Sequence, residues 1–406
     1  MLYSFETQLL KIIIILNCIF SVSKFYDAYF FSFKIKDFEN MNDYYKDRDE
    51  KKKSLKKGRI FFLNCVNDIL INPNYTKKNN EKPLVSVVIP VFDAQFKIKK
   101  TIRSIQNQNT SDFEIILVND FSTDKTINVI KDLQKEDDRI ILVENKENKG
   151  IFYSRCIGTL IASGKYIFPL DNDDLFFDEG IISTIVDKSI KGNFDIVEFN
   201  YAEFYNNKIP PNKLITSEFG NHSDNLILYQ PELSQFPRKK NNIYGIYDCY
   251  VWAKCIETNL YKTSINKIGI KTYSKYILRG EDFIMTFVLF RLAKSFNFFA
   301  KYGIFRYKSF ETAQYKSSRE LYLLSRIIYI DIIRRFTAKT YDDKLYVAYF
   351  CDTFLYTLRK ELNILSDENK IYFKNVFNKL LKNKYITDEY KNKFVLLFQD
   401  LTWLFD

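Results

Sequence analysis

The chain runs to 406 residues, 46% of them apolar, with a formal net charge of +11 from 61 Lys and Arg against 50 Asp and Glu. That length exceeds what a single core usually organises, so two or more lobes are expected, and the apolar share excludes a disordered chain. The positive excess suits an anionic partner or a membrane surface, but it gathers in runs such as Lys51–Lys53 and Arg238–Lys240 with no nucleic-acid-binding module around them, which counts against nucleic acid as a partner.

Near the N-terminus, Ile12 to Val22 is apolar apart from Asn17, Cys18 and Ser21. A bilayer span needs about 20 such residues. A signal or anchor over 8–22 and a packed amphipathic helix all remain open, and with them membrane association and compartment. Asp37 to Lys57 is dense in charge and Asn72 to Lys82 is polar, so residues 1–82 read as a helical and polar lead-in.

At Pro83 strands and helices begin to alternate. Val85 to Ile89 has the β-branched run of a buried strand, ended by Pro90, and Ile98, Ile102 and Ile105 then share a helical face. Phe113 to Val118 predicts a second strand, closed by Asn119 to Asp124, whose Ser122 to Asp124 supply cap side chains for a helix carrying Ile127, Ile130 and Leu133. Ile140 to Val143 is a third strand. Gly150 opens a helix through Ala162, and Gly164 ends it. A helix near Glu179 to Lys191 and a strand Phe194 to Phe199 follow later. This alternation implies a parallel, doubly wound α/β sheet flanked by helices, with ligands beyond the carboxyl ends of its strands.

Between Gly164 and Glu179 lies the most informative stretch. Tyr166 to Leu170 is an uncharged strand that runs straight into Asp171, Asn172, Asp173 and Asp174. Like charges packed together are unfavourable unless a cation neutralises them, and a divalent metal holding a phosphate is the commonest such partner. An acidic turn that merely caps the next helix is the competing account.

Residues 201–310 mix loops with short elements. Tyr250 to Ile256 is apolar around Lys254, and Glu281 and Asp282 sit at the start of a helix expected over Phe283 to Lys294, where the helix dipole alone would favour them. Residues 311–406 look helical, with stripes such as Leu321, Leu324, Ile327 and Ile328, and carry no chemical motif. The cysteines are dispersed without a C-x-x-C, so neither a zinc knot nor a disulfide framework is indicated. His222 is the only histidine, so a carboxylate is the expected general base.

Val85 to Asp93, Ile116 to Asp124, Asn148–Gly150 with Arg155, and Gly164 to Asp174 resemble, in order and spacing, the signatures of the family 2 glycosyltransferases. Gly280–Asp282 resembles that family's later acidic motif, and Phe305–Arg306 with Ser309 a Tyr-Arg element after it. The resemblance covers 83–310, with 83–200 as the nucleotide-sugar half and 201–310 as the acceptor half. It implies a GT-A-type, Rossmann-like, mostly parallel sheet, and inverting transfer of a sugar from a nucleotide-diphospho-sugar, usually uridine-linked, to a hydroxyl on a glycan, lipid or protein.

On the same resemblance Asp173 is the main ligand of Mn or Mg, and Asp171 contacts the ribose or the metal. Asp120 accepts from the base ring and Asp93 lines the base and ribose pocket. Pro90, Val91, Asn119, Asn148, Gly150 and Asn172 complete the donor site. Arg155 reaches the base or diphosphate, or pairs with a nearby carboxylate; Arg306 contacts the diphosphate or forms a structural ion pair. Asp282 is the general base and Glu281 orients it or the acceptor. Trp252, with Lys254 beside it, is either a platform for a sugar face or part of the core.

Three positions depart from the pattern: Asn119 stands where aspartate is common, Phe121 where glycine is frequent, and Cys156 where asparagine is frequent. The Gln-x-x-Arg-Trp element of processive synthases is missing, so a single-addition transferase fits better than a polymerase. A catalytically inactive binding protein on the same fold is the main rival. A nucleotidyltransferase lacks its Gly-rich basic loop here, and neither a G-x-G-x-x-G nor a P-loop follows any strand.

Overall fold

The computed structural model describes residues 82–205, 226–230, 239–240, 243–244, 250–270, 277, 280–308 and 365–382, with isolated residues elsewhere. The readings made for residues 1–81 and for Ser309, His222 and Arg238 fall outside the described residues, as do most of those made for 311–406. All elements below belong to the unit Gly58–Asp406.

The chain begins with β1 (Val85–Val91), α1 (Ile98–Gln106), β2 (Phe113–Asn119), α2 (Thr126–Glu136), β3 (Ile140–Glu144), α3 (Ile151–Ile161) and β4 (Tyr166–Pro169). It continues through β5 (Leu175–Phe176), α4 (Ile181–Gly192) and β6 (Ile196–Tyr205). Then come β7 (Ile227–Tyr229), the small pair β8 (Lys239–Lys240) and β9 (Ile243–Tyr244), β10 (Lys254–Glu257) and α5 (Thr258–Ile268). Last are α6 (Glu281–Leu292), β11 (Ser295–Lys308) and α7 (Asp367–Leu381). The main sheet has the order β3-β2-β1-β4-β10-β6-β11-β5, with β7 also on β11.

Alternation along β1 and β2 divides the core into two layers. Val87 and Ile89 of β1, with Ile115 and Leu117 of β2, meet Ile98, Ile102 and Ile105 of α1 and Ile130 and Leu133 of α2. Val88, Ile116 and Val118 face the other way, against Phe152 and Cys156 of α3 and, in the same layer, α5 and α6. The chain therefore winds outward from β1 to β3, then returns to place β4 on the opposite side of β1. The order reverses between β1 and β4, and sheets of this kind bind ligands beyond the carboxyl ends of the strands at such a point.

Three expectations are corrected. Pro90 does not end β1: it pairs with Val118 inside the strand. The last pairing of β1 with β4 is Val88 with Pro169, so the missing N–H of Pro90 faces a side where the ladder has already stopped. The sheet is parallel only over β3-β2-β1-β4 and between β6 and β11; β10 is antiparallel to both β4 and β6, and β5 and β7 are antiparallel to β11. Finally, residues 295–308 form one long strand, paired with β6 from Phe296–Ile196 to Lys308–Tyr205 through register shifts around Tyr302. Those irregularities break the two-residue period by which a strand is read from sequence. No helix among the described residues is long and apolar enough to cross a membrane.

Candidate active site

The tips of β1 and β2 are laced together by polar side chains. The backbone N–H of Asp120 donates to the Val91 carbonyl at 2.8 Å. The Asp93 carboxylate accepts from the Thr123 N–H at 2.8 Å, while the Asp93 N–H donates to Ser122 Oγ at 3.0 Å. Asn119 Oδ1 accepts from the Ser122 N–H at 3.2 Å. Asp93 and Phe121 both adopt positive φ, 43° and 64°, so each strand ends in a sharp reversal that turns its following residues to the crevice.

Asp120 is buried and holds three donors. Its carboxylate accepts from the N–H groups of Lys149 (2.8 Å) and Gly150 (2.7 Å) and from Asn145 Nδ2 (2.8 Å). It thus fixes the turn that starts α3. In this arrangement its carboxylate organises the loop, with two hydrogen bonds on Oδ1 and one on Oδ2, which leaves Oδ2 capacity for a further donor. Asn148, in the same turn, is exposed.

The acidic turn after β4 sorts its three carboxylates by environment. Asp174 is 1% exposed and its Oδ1 accepts from the Tyr307 N–H of β11 at 2.7 Å, which makes it a tie between the turn and the sheet. Burial first, and then Asp173 and Asp171, push its carboxyl well above the ordinary range. Asp173 pairs with Lys97 Nζ at 3.1 Å, and Asp171 with Arg155 at 2.8 Å. The turn is also fastened to α1, because Thr101 Oγ1 donates to the Asn172 carbonyl at 3.0 Å.

Arg155 joins the two halves of the domain. From α3, with 4% of its side chain exposed, it donates to Asp171 Oδ1 and to Asp282 Oδ1, each at 2.8 Å, and lies 3.8 Å from Glu281. Glu281 and Asp282 form the first turn of α6, which starts two residues earlier than the sequence suggests, behind Gly280 at φ 72°. Burial alone would lower the Arg155 pKa, but Asp282, Asp171 and Glu281 more than reverse it, so it is permanently charged. One guanidinium cannot neutralise three carboxylates. Asp282 is accordingly pushed up to about 8, by burial foremost and by Glu281 and Asp171, against the pull of Arg155. Burial likewise raises Glu281.

Residues 86–252 match the family model described as Glycosyl transferase family 2. The chain carries a family 2 glycosyltransferase domain. A Campylobacter jejuni protein named GalNAc(5)-diNAcBac-PP-undecaprenol beta-1,3-glucosyltransferase is 40% identical over 111 residues, 27% of this chain and 36% of that one. An uncharacterized glycosyltransferase of Haemophilus influenzae is 27% identical over 253 residues, 54% of this chain and 98% of that one. The match thus spans about a third of the length of the first relative and nearly all of the second. Among solved structures, Staphylococcus aureus TarS 1-349 in complex with UDP-GlcNAc superposes with a TM-score of 0.54 at 16% identity, covering 74% of this chain and 81% of that one. The complex of the same fragment with UDP gives 0.53 at 15% identity. The glycosyltransferase domain therefore has an α/β fold of the GT-A type.

Around β10 of this glycosyltransferase domain two expectations change. Trp252 is 2% exposed, with Tyr250 stacked on it at 4.8 Å and Tyr201 edge-on at 4.8 Å, so it has no open face for a sugar and belongs to the core. Lys254 is fully buried, paired with Glu198 at 3.2 Å and donating to the Tyr250 carbonyl at 2.6 Å, and is a structural cation beneath the site. Arg306 pairs with Glu203 at 3.4 Å and lies over Tyr250 and Trp252, which favours the ion-pair account of it.

For a metal, Asp171 and Asp173 offer only carboxylate oxygens, the donors a hard divalent ion takes, and keep 29% and 20% of their side chains exposed. Among the described residues no group of three or more His, Cys, Asp or Glu is arranged to hold a metal ion by itself; an ion on this pair would be completed by phosphate oxygens and water. Sequence reasoning missed Lys97, Asn145 and Tyr307. Only Lys97 carried a signal, being four residues before Thr101 and so on the helix face that meets the acidic turn.

Proposed function

We propose that this domain moves a sugar from a nucleotide-diphospho-sugar, most plainly a uridine-linked one, to an acceptor hydroxyl with inversion at the sugar carbon. The observation that carries the reading is the Arg155 bridge, which holds Asp171 of the donor half and Asp282 of the acceptor half on one guanidinium. The family match and the fold shared with a UDP-GlcNAc complex of TarS support the donor class.

In this reading the crevice past β1 and β2 receives the nucleoside, with Phe92 and Phe121, 43% and 50% exposed, as ring faces beside it. Asp171 and Asp173 form the DXD pair for Mn or Mg. When bound, the ion supplies Lewis-acid stabilisation of the charge that develops on the departing diphosphate. Asp282, in its ionised form, accepts the proton of the attacking hydroxyl, opposite the leaving group. Glu281 and Arg155 hold that carboxylate in place. The acceptor is a glycan, lipid or protein hydroxyl, and the undecaprenol-linked substrate in the C. jejuni relative's name supports a lipid-linked glycan as the first class to try.

The test is a thermal-shift screen of nucleotide sugars with and without Mn or Mg. Stabilisation by a uridine-linked donor, lost in Asp173→Ala, is the expected result. Absence of a response to every nucleoside diphosphate would reject the donor assignment. An inactive binding protein would respond in the same screen but show no hydrolysis or transfer on prolonged incubation.

A further inference from the structure

Two cations neutralise the acidic turn, and they are not equivalent. Arg155 is 4% exposed and is gripped by carboxylates from two elements. Lys97 is 42% exposed, makes a single contact with Asp173 at 3.1 Å, and rests 4.7 Å above the Tyr307 ring. Its position is built in. The Lys97 N–H is anchored on the Ala94 carbonyl at 2.9 Å, and Thr101, four residues on, ties the same helix face to Asn172. A long, flexible, half-exposed ammonium is the more easily released of the two.

We propose that Lys97 is an exchangeable internal cation: it holds Asp173 before donor loading, releases that carboxylate to the divalent ion, and then serves the donor's diphosphate. This rests on the donor-site reading above. An ammonium at 3.1 Å from Asp173 Oδ2 occupies the space a ligated ion would need, and two cations on one carboxylate repel each other. Lys97 therefore competes with the ion for Asp173, and its release frees Oδ2 as a ligand. The Tyr307 ring gives the released ammonium a second resting surface without full return to water. The phosphate oxygens are then the strongest acceptors within the same crevice. Lys97 thus weakens metal binding to the empty protein while strengthening nucleotide binding, which couples the two in order.

The experiment measures Mn binding by electron paramagnetic resonance and UDP binding in chelator by calorimetry, on the full chain as wild type, Lys97→Met and Lys97→Arg. In Lys97→Met, Mn alone is expected to bind about fivefold more tightly, and UDP in chelator about fivefold more weakly, the worth of one partly exposed ion pair. Lys97→Arg keeps the charge and is expected to restore UDP affinity. Wild type that binds UDP with metal, beside a Lys97→Met variant unchanged in both measurements or weaker for Mn, overturns the role of Lys97 alone. Wild type that binds neither Mn nor UDP overturns the donor-site reading and this inference together.

Discussion

The sheet has two halves built on different rules. In β3-β2-β1-β4 every pairing is parallel, and one helix joins each strand to the next in sequence. In β10-β6-β11-β5 the pairings mix directions, β10 is inserted between strands that precede it, and Ile196 finds its partner in the distant Phe296. The first half can be assembled from neighbouring segments; the second closes long loops before any contact rewards them. The proposed reaction draws on both, because Asp171 and Asp173 come from the first half and α6, with Asp282, comes from the second. The halves meet along the β4–β10 pairing, and Arg155 bridges their carboxylates.

Breaking that bridge is expected to have the largest effect. Arg155→Met strands Asp171, Glu281 and Asp282 in a poorly solvated site, and removing one partner of such a cluster costs about 3–5 kcal/mol. Urea unfolding above pH 8 measures it, and the deficit should shrink on acidification as the carboxyls take up protons. Arg155→Lys should recover part of the stability but not the transfer, since one ammonium cannot hold carboxylates on two elements in a fixed fork. A variant as stable as wild type would mean that the bridge contributes nothing to stability.

Asp282→Asn tests the acceptor half alone. Transfer should fall about a thousandfold with nucleotide binding unchanged. In wild type the carboxyl is pushed up to about 8, so the ionised base is scarce below that value. The rate at low acceptor concentration should therefore rise with pH up to about 8 and level off above it. A profile flat through that range would remove Asp282 from the role.

Two glycines compare the halves in rigidity. A Cβ on Gly164 would lie 2.6 Å from the Ser86 nitrogen and from the Val85 carbonyl carbon, both backbone atoms of β1. Gly164→Ala must displace a strand, at about 3 kcal/mol. A Cβ on Gly303 of β11 would meet the Phe199 ring at 2.3 Å, and a side chain can turn aside, so Gly303→Ala should cost about 1–2 kcal/mol. Chemical denaturation of the pair ranks them; the reverse order would show that the mixed half is the stiffer.

The same division explains what was legible. Apart from the short β5, the strands and helices from Val85 to Gly192 could be read because their periods are clean and starts such as those of α3 and α2 are marked by Gly150 and Asp124. Gly164 does not end α3, which stops at Ile161 with Ala162 as its C-cap. In the other half β11 hid behind its register shifts, and β10 behind a motif, Trp252 to Lys254, that looked like a sugar platform and is core. Within the site, the acidic turn and Glu281–Asp282 announce themselves by charge density. Their partners do not. That Arg155 would bond Asp282 across 127 positions is a property of the folded sheet, and no local pattern encodes it. No motif marks Lys97, and only its place one helical turn before Thr101 distinguishes it.

The smallest expected effect lies at Phe121, at the tip of β2 in the legible half. A bulky residue at φ 64° is strained, because its Cβ crowds the neighbouring carbonyl, and glycine there should relieve about 1 kcal/mol. The ring is half exposed, so its removal sacrifices little packing. Phe121→Gly should then raise the melting temperature by a few degrees while weakening UDP binding, since the strain holds an aromatic face at the mouth of the crevice. Opposite signs in the two measurements would mark the strain as retained for binding. A gain in stability with unchanged affinity would show that Phe121 merely tolerates its turn, and would leave Phe92 as the ring beside the base.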